Sequence, residues 1–321
     1  MPRKIILDCD PGHDDAIALL LAHGNPEIDL VAVTTVAGNQ TLPKVTRNAL
    51  RMCTVAGISG VPVAAGAAGP LLREQIIAPQ IHGESGLDGP TLPESTVSLD
   101  PRHAVDVIID TVMAAKPGEI TLVPVGPLTN IALAMRREPA IVERVREVSL
   151  MGGAYTRGNT TPAAEFNILA DPEAAAAVFA APWPVTMVGL DLTHQATAGP
   201  DVIERIEAIG TPLSHIVVEL LTFFGNSYEH VEGMPAPPVH DPCAVAYVID
   251  PELLTTADAF VAVEVKGTWS YGQTVTDFAD AYGQPHNTRV ATKLDVDGFW
   301  NLIVDAIAAI GTPNQPEEAA S

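Results

Sequence analysis

Lys4-Ile5-Ile6-Leu7-Asp8-Cys9-Asp10-Pro11-Gly12-His13-Asp14-Asp15-Ala16-Ile17-Ala18-Leu19-Leu20-Leu21-Ala22 passes from a β-rich apolar run, Lys4 to Leu7, through a turn at Pro11 and Gly12, to a helical run from Ala16 to Ala22. The same succession recurs along the chain. Leu30 to Thr35 precedes a helical stretch from Lys44 to Ala56 with Pro43 at its start. Ile120 to Val125 precedes Leu128 to Met135, and Glu147 to Met151 and Val185 to Leu190 are further short apolar runs. Strands separated by helices predict an α/β fold: a mostly parallel, doubly wound, Rossmann-like sheet with helices on both faces and additional loop and helical elements over the site. Ligands bind such sheets at the carboxyl ends of the strands, which is where this first strand delivers its aspartates.

Two stretches depart from the pattern. Residues 73–95, with Gly83, Gly86, Gly89, Pro79, Pro90 and Pro93, read as a long loop. Residues 225–239 follow the apolar helix Ile216 to Phe224 and carry Gly233, Pro235, Pro237 and Pro238. Both are expected to be mobile, the second as a lid over about 223–239. The whole of 1–321 is expected to form a single domain with a frayed tail at 312–321.

With 321 residues the chain buries roughly three quarters of its unfolded surface and needs no staple to fold. It carries 39 acidic against 17 basic side chains, a formal charge of −22, which repels phosphate backbones and argues against a nucleic-acid partner. No apolar run is long enough to span a bilayer, and Met1-Pro2-Arg3-Lys4 does not open a signal peptide. A cytoplasmic protein with no membrane partner is the expectation. Cys9, Cys53 and Cys243 are an odd set without metal spacing, hence reduced thiols. In that compartment the glycosylation-type triplet Asn159-Thr160-Thr161 is accidental.

Asp8, Asp10, Asp14 and Asp15 crowd the junction between first strand and first helix. Two carboxylates about 4 Å apart repel by roughly 4 kcal/mol at an effective dielectric near 20. Several facing one pocket therefore need protons or a cation, and oxygen ligands select a hard ion, Ca²⁺ or Mg²⁺. The plainer reading is that Asp14 and Asp15 cap the helix, which leaves Asp10 unexplained.

The segment resembles the Asp-x-Asp-Pro-Gly-x-Asp-Asp signature of the nucleoside hydrolase family. The likeness continues through Thr34-Thr35-Val36-Ala37-Gly38-Asn39, His82-Gly83-Glu84-Ser85-Gly86, Gly126-Pro127-Leu128-Thr129-Asn130, Met151-Gly152-Gly153, Glu165-Phe166-Asn167 and His240-Asp241-Pro242. It is nearest to the inosine-uridine-preferring branch. The resemblance implies hydrolysis of the N-glycosidic bond of ribonucleosides to free nucleobase and ribose. It implies Ca²⁺ held by Asp10, Asp15, Asp241 and the main-chain carbonyl of Val125, with Asp10 as general base toward a calcium-bound water. Ribose then falls to Asp14, Asn39, Asn159, Glu165, Asn167 and the Met151 backbone. The base falls to His82, Phe166, Tyr228 and His240, with His240 protonating the leaving base, aided by Tyr228 or His82. A homotetramer, with a dimer second, and a role in nucleoside salvage or catabolism also follow from the likeness. Phe224 stands where some relatives have a second tyrosine, and Trp183, Trp269 and Trp300 lie outside both lid stretches. A broad purine and pyrimidine preference is therefore expected.

Each residue also has an ordinary explanation. Asp241 before Pro242 is a helix N-cap with proline at the first helical position. Single asparagines are turn residues, and a single histidine is more often packing than catalysis. An extended Glu165-Phe166-Asn167 would send the glutamate and asparagine to one side. Two other functions compete: a phosphatase of the haloacid dehalogenase type, which shares Asp8-x-Asp10 after a first strand, and a non-catalytic Ca²⁺-dependent ribose-binding protein.

Overall fold

The computed structural model describes residues 1–311; the expected frayed tail at 312–321 lies outside them. Its strands are β1 (Arg3–Cys9), β2 (Ile28–Thr35), β3 (Val63–Ala65), β4 (Ile120–Pro124), β5 (Glu147–Met151), β6 (Val185–Val188), β7 (Leu254–Val263), β8 (Thr274–Asp277) and β9 (Thr288–Leu294). They form one sheet in the order β3-β2-β1-β4-β5-β6-β9-β7-β8. Every pairing from β3 to β9 is parallel, and β7 joins β9 and β8 antiparallel at one edge. The chain winds outward from β1 in both directions, so the order reverses between β1 and β4. A crevice opens beyond their carboxyl ends at that point.

Alternation along β1 builds both layers. Ile5, Leu7 and Cys9 join the core that packs the helices His13–Gly24, Leu42–Val55, Pro242–Ile249 and Val296–Gly311. Ile6 faces the opposite core, with the helices Ala104–Ala114, Thr129–Arg137 and Pro172–Ala180. The first helix is buried from His13 through Ala22, as an element enclosed on all sides must be.

Three expectations are corrected. The helix that ends at Phe224 in the sequence reading runs from Pro212 to Glu232, so 225–232 are helical and not loop. Gly225 sits inside it without breaking it. Gly233 ends it in the left-handed conformation (φ 68°), donating its N–H to Glu229 O at 3.1 Å. Second, Glu165-Phe166-Asn167 is not extended: Glu165 is the N-cap of a short helix, Phe166–Ala170. Third, β3, β7, β8 and β9 were not read as strands. The burial of β7 alternates irregularly, because an edge hairpin lacks the continuous apolar run of a central parallel strand.

The 73–95 stretch is a long connection with one helical turn, Pro79–His82. It is moored by Asn48 Nδ2 donating to Ser85 O at 3.0 Å and by His13 Nε2 at 2.8 Å from Asp88 O. All three cysteines are free and buried, as expected. Among the described residues no helix is long and apolar enough to cross a membrane.

Candidate active site

Asp10 follows the last residue of β1, and Asp15 stands at the third position of the helix that begins at His13. Asp15 Oδ1 accepts the Asp10 N–H and its Oδ2 accepts the Gly12 N–H, both at 2.9 Å. One carboxylate thus ties strand end to helix start. Asp10 Oδ2 accepts the Asn39 N–H at 2.6 Å. Gly38 and Gly126 flank the Asp10 carboxylate so closely that a β-carbon on either would collide with it, which explains glycine at both positions.

Asp14 comes from the same helix, and Asp241 arrives from a distant part of the chain. One oxygen each of Asp14, Asp15 and Asp241 lie within 4.8 Å of one another, all three residues buried. Asp241 is the N-cap position of the helix Pro242–Ile249, yet it makes no side-chain cap hydrogen bond. Capping therefore does not account for it. Asp10 is not one of these three, but Asp15 beside it helps raise its pKa. Asp8 turns away: its Oδ1 takes hydrogen bonds from Thr34 Oγ1 (2.6 Å) and Asn130 Nδ2 (2.8 Å). That removes it as the nucleophile a phosphatase would need.

Burial, then neighbouring carboxylates, pushes Asp10 and Asp241 well above the usual carboxylate range. Asp14 rises to about 8, from burial first and Asp15 second. Asp10 Oδ1 and Asp14 Oδ1 are buried without a hydrogen-bond partner, and the ion pairs of the described residues all lie elsewhere. Orphaned carboxyl oxygens at this density call for protons or a compensating charge. The donor set is all oxygen, so it fits a hard divalent cation.

Above this floor lies a cavity of about 300 Å³. Asp14, Asn39, Val125, Met151, Asn159, Glu165, Asn167, His82, Phe166, Tyr228, His240 and Asp241 all line it. Of the site residues expected from sequence, only Asp10 and Asp15 are absent from the lining; they lie beneath it, wholly or almost wholly buried. Asn167 Nδ2 donates to Val125 O (2.9 Å) and Met151 O (3.2 Å), holding both carbonyls at the strand ends. Glu165 accepts N–H bonds from Gly153, Asn167 and Ile168, and burial raises its pKa to about 7. Glutamate and asparagine converge through capping, not through strand alternation.

The opposite wall is imidazole and aromatic. His240 Nε2 lies 2.8 Å from Tyr228 Oη, and its Nδ1 lies 2.7 Å from Thr193 Oγ1. Burial lowers His240 to about 3, with His194 contributing, and pushes the Tyr228 phenol up. His13 stacks on His82, Phe223 and Phe224. The sequence reading gave no part to Thr193 or His13, nor to Ile76, Ile77 and Ile81 at the cavity wall. Thr193 is the last residue of the short helix Leu190–Thr193 that follows β6, and the placement of that segment beyond a strand's carboxyl end was the available signal.

Comparison with known proteins agrees with this constellation. The family model described as inosine-uridine preferring nucleoside hydrolase matches residues 5–301. The inosine-uridine preferring nucleoside hydrolase of Crithidia fasciculata is 54% identical, covering 98% of this chain and 100% of its own. The pyrimidine-specific ribonucleoside hydrolase RihB of Shigella flexneri serotype 5b is 50% identical over 95% of this chain and 97% of its own. Among solved structures, the purine-preferring ribonucleoside hydrolase of Gardnerella vaginalis superposes with a TM-score of 0.90 at 32% identity, covering 96% of this chain and 99% of that one. The protein is a hydrolase acting on N-glycosyl bonds. Within that class, the chain belongs to the inosine-uridine preferring nucleoside hydrolase family.

Proposed function

We propose that this protein is a Ca²⁺-dependent ribonucleoside hydrolase of broad purine and pyrimidine preference. One observation carries the reading: buried, partly orphaned carboxylates form the floor of a cavity whose walls hold every expected sugar and base contact. Asp10, Asp15, Asp241 and the Val125 carbonyl would hold the ion, and the triad geometry adds Asp14 as a neighbour. A Ca²⁺ there would supply positive charge that favours the ionised form of a nearby water and the approach of sugar hydroxyls.

Asp10 accepts the water proton as general base, its free Oδ1 being the available acceptor. Asn39, Asn159, Glu165 and Asn167, with Asp14 and the Met151 carbonyl, orient the ribose. Their oxygens stabilise the positive charge that develops on the sugar as the C1′–N bond lengthens. His240 and Tyr228 serve the departing base, against His82, Phe166 and Phe224. Among the described residues no Lys or Arg lines the cavity, so nucleosides are preferred to their 5′-monophosphates; comparable turnover of both would refute this. Relatives bearing inosine-uridine, pyrimidine and purine preferences all match, which supports a tolerant base pocket.

The loop at 73–95 and the region 223–239 act as closing walls of one domain, in a soluble cytoplasmic enzyme of nucleoside salvage. Family resemblance supports a homotetramer before a dimer, a choice light scattering decides. A reducing-sugar assay on inosine, uridine, cytidine, adenosine and guanosine, with and without a chelator, tests the whole reading. Release of ribose from several nucleosides, abolished by chelation and restored by Ca²⁺, is the expected result. Binding of nucleoside without release of base would overturn it in favour of a ribose-binding protein.

A further inference from the structure

Thr193, His240 and Tyr228 form a hydrogen-bonded file that reaches the cavity. Thr193 is fully buried, His240 and Tyr228 nearly so, and only the latter two touch the cavity. Among the described residues the Thr193 hydroxyl has one partner, His240 Nδ1 at 2.7 Å. The other ring nitrogen has one partner, Tyr228 Oη at 2.8 Å. Such a file can carry its protons in three ways.

With the proton on Nδ1, the ring donates to Thr193 Oγ1 and Tyr228 donates to Nε2. The Thr193 O–H is then a buried donor with no acceptor. With both nitrogens protonated, the same hydroxyl is orphaned again. With the proton on Nε2, Thr193 donates to Nδ1, Nε2 donates to Tyr228 Oη, and the phenolic O–H is released toward the cavity. Only this pattern gives the Thr193 hydroxyl an acceptor and leaves the one free proton on Tyr228, which lines the cavity.

We propose that Thr193 is a positioning residue that fixes His240 as its Nε2–H tautomer, so that Tyr228 presents its hydroxyl proton to the departing base. The proposal rests on the nucleoside hydrolase reading of this cavity. As the C1′–N bond breaks, its electron pair goes to the base, and a base nitrogen takes the Tyr228 proton. The phenolate left behind is held by His240 Nε2–H until a proton equivalent to the one Asp10 took from water returns to it through solvent. The net change is one water consumed, with ribose and neutral base released. His240 thereby acts through Tyr228, and His82 is not required as a donor.

The tautomer is measured directly in the full-length protein by ¹⁵N-histidine correlation spectroscopy, which distinguishes protonated from bare ring nitrogens. Protonated Nε2 and bare Nδ1 on His240 are expected; the reverse, or two protonated nitrogens, overturns the proposal whatever the enzyme hydrolyses. Kinetics supply the second arm. Thr193→Val is expected to lower kcat on inosine by about tenfold or more, a part of what general acid catalysis contributes. It should lower kcat far less on p-nitrophenyl riboside, whose leaving group needs no proton. Thr193→Ser, which keeps the hydroxyl, should restore inosine turnover. Equal losses on both substrates, or no rescue by serine, would assign Thr193 to packing alone. Should the wild-type enzyme release no base at all, the functional reading fails while the tautomer result still stands.

Discussion

Both ends of the cavity are buried, and burial does opposite things to them. At the floor it raises carboxyl groups, Asp14 to about 8 and Asp10 and Asp241 well above the usual carboxylate range. At the far wall it lowers imidazoles, His240 to about 3 and His82 well below the ordinary histidine value. Both effects are the same desolvation acting on anions and on cations. The difference lies in what remains unsatisfied. Both ring nitrogens of His240 have hydrogen-bond partners, whereas Asp10 and Asp14 each keep an orphaned oxygen. The floor keeps oxygens that a proton or a cation could meet; both ring nitrogens at the wall are already met.

The largest effects should come from the floor. Asp241→Asn removes one anionic ligand and is expected to reduce kcat on inosine on the order of 10³-fold, with Ca²⁺ binding lost in calorimetry. Undiminished base release by this variant would break the contrast, since the floor would then need no ion. At the wall, His240→Ala should lower inosine turnover by about 10² to 10⁴ while sparing p-nitrophenyl riboside. Equal losses would return His240 to a structural part.

A smaller effect tests how tightly Asp10 is clamped. Gly38→Ala or Gly126→Ala forces its carboxylate to shift and should weaken Ca²⁺ binding by about tenfold to a hundredfold with the circular dichroism spectrum unchanged. Unaltered affinity in both would show the clamp to be slack.

The smallest effect is on stability. Acids whose pKa rises on folding hold more protons in the native than in the unfolded chain, so the metal-free fold loses stability as pH climbs from 3.8 through about 7 for Asp8 and about 8 for Asp14. The buried histidines, His13 at about 4 and His240 at about 3, act with the opposite sign below the ordinary histidine range, so the Tm of chelated protein is expected to fall between about pH 7 and about pH 8, and less steeply with saturating Ca²⁺, whose binding displaces those protons. A metal-free Tm that rises over this range would contradict the sign.

Much of this was legible in one dimension. The alternation of apolar runs marked five of the parallel strands, because central parallel strands are apolar throughout and stand out from what surrounds them. The density of aspartates from Asp8 to Asp15 marked the floor, because charge at a strand end has few structural uses. Less legible were places where an ordinary role and a chemical one look alike. Asp241 reads as a cap before Pro242, and only the absence of a cap hydrogen bond separates the two. Asp8 reads as part of the floor, and only its bonds to Thr34 and Asn130 remove it. The helix through Glu232 was hidden by the glycines and prolines around it, although only Gly233 stops it.

The residue types and their order along the chain set the doubly wound sheet, the acidic junction and the family, since each depends on local periodicity or on a contiguous motif. Tertiary structure alone decided which carboxylates share a space, that Glu165 works by capping, and that Thr193 meets His240 across 47 positions. Those outcomes depend on distances between segments far apart in sequence, which local pattern does not encode.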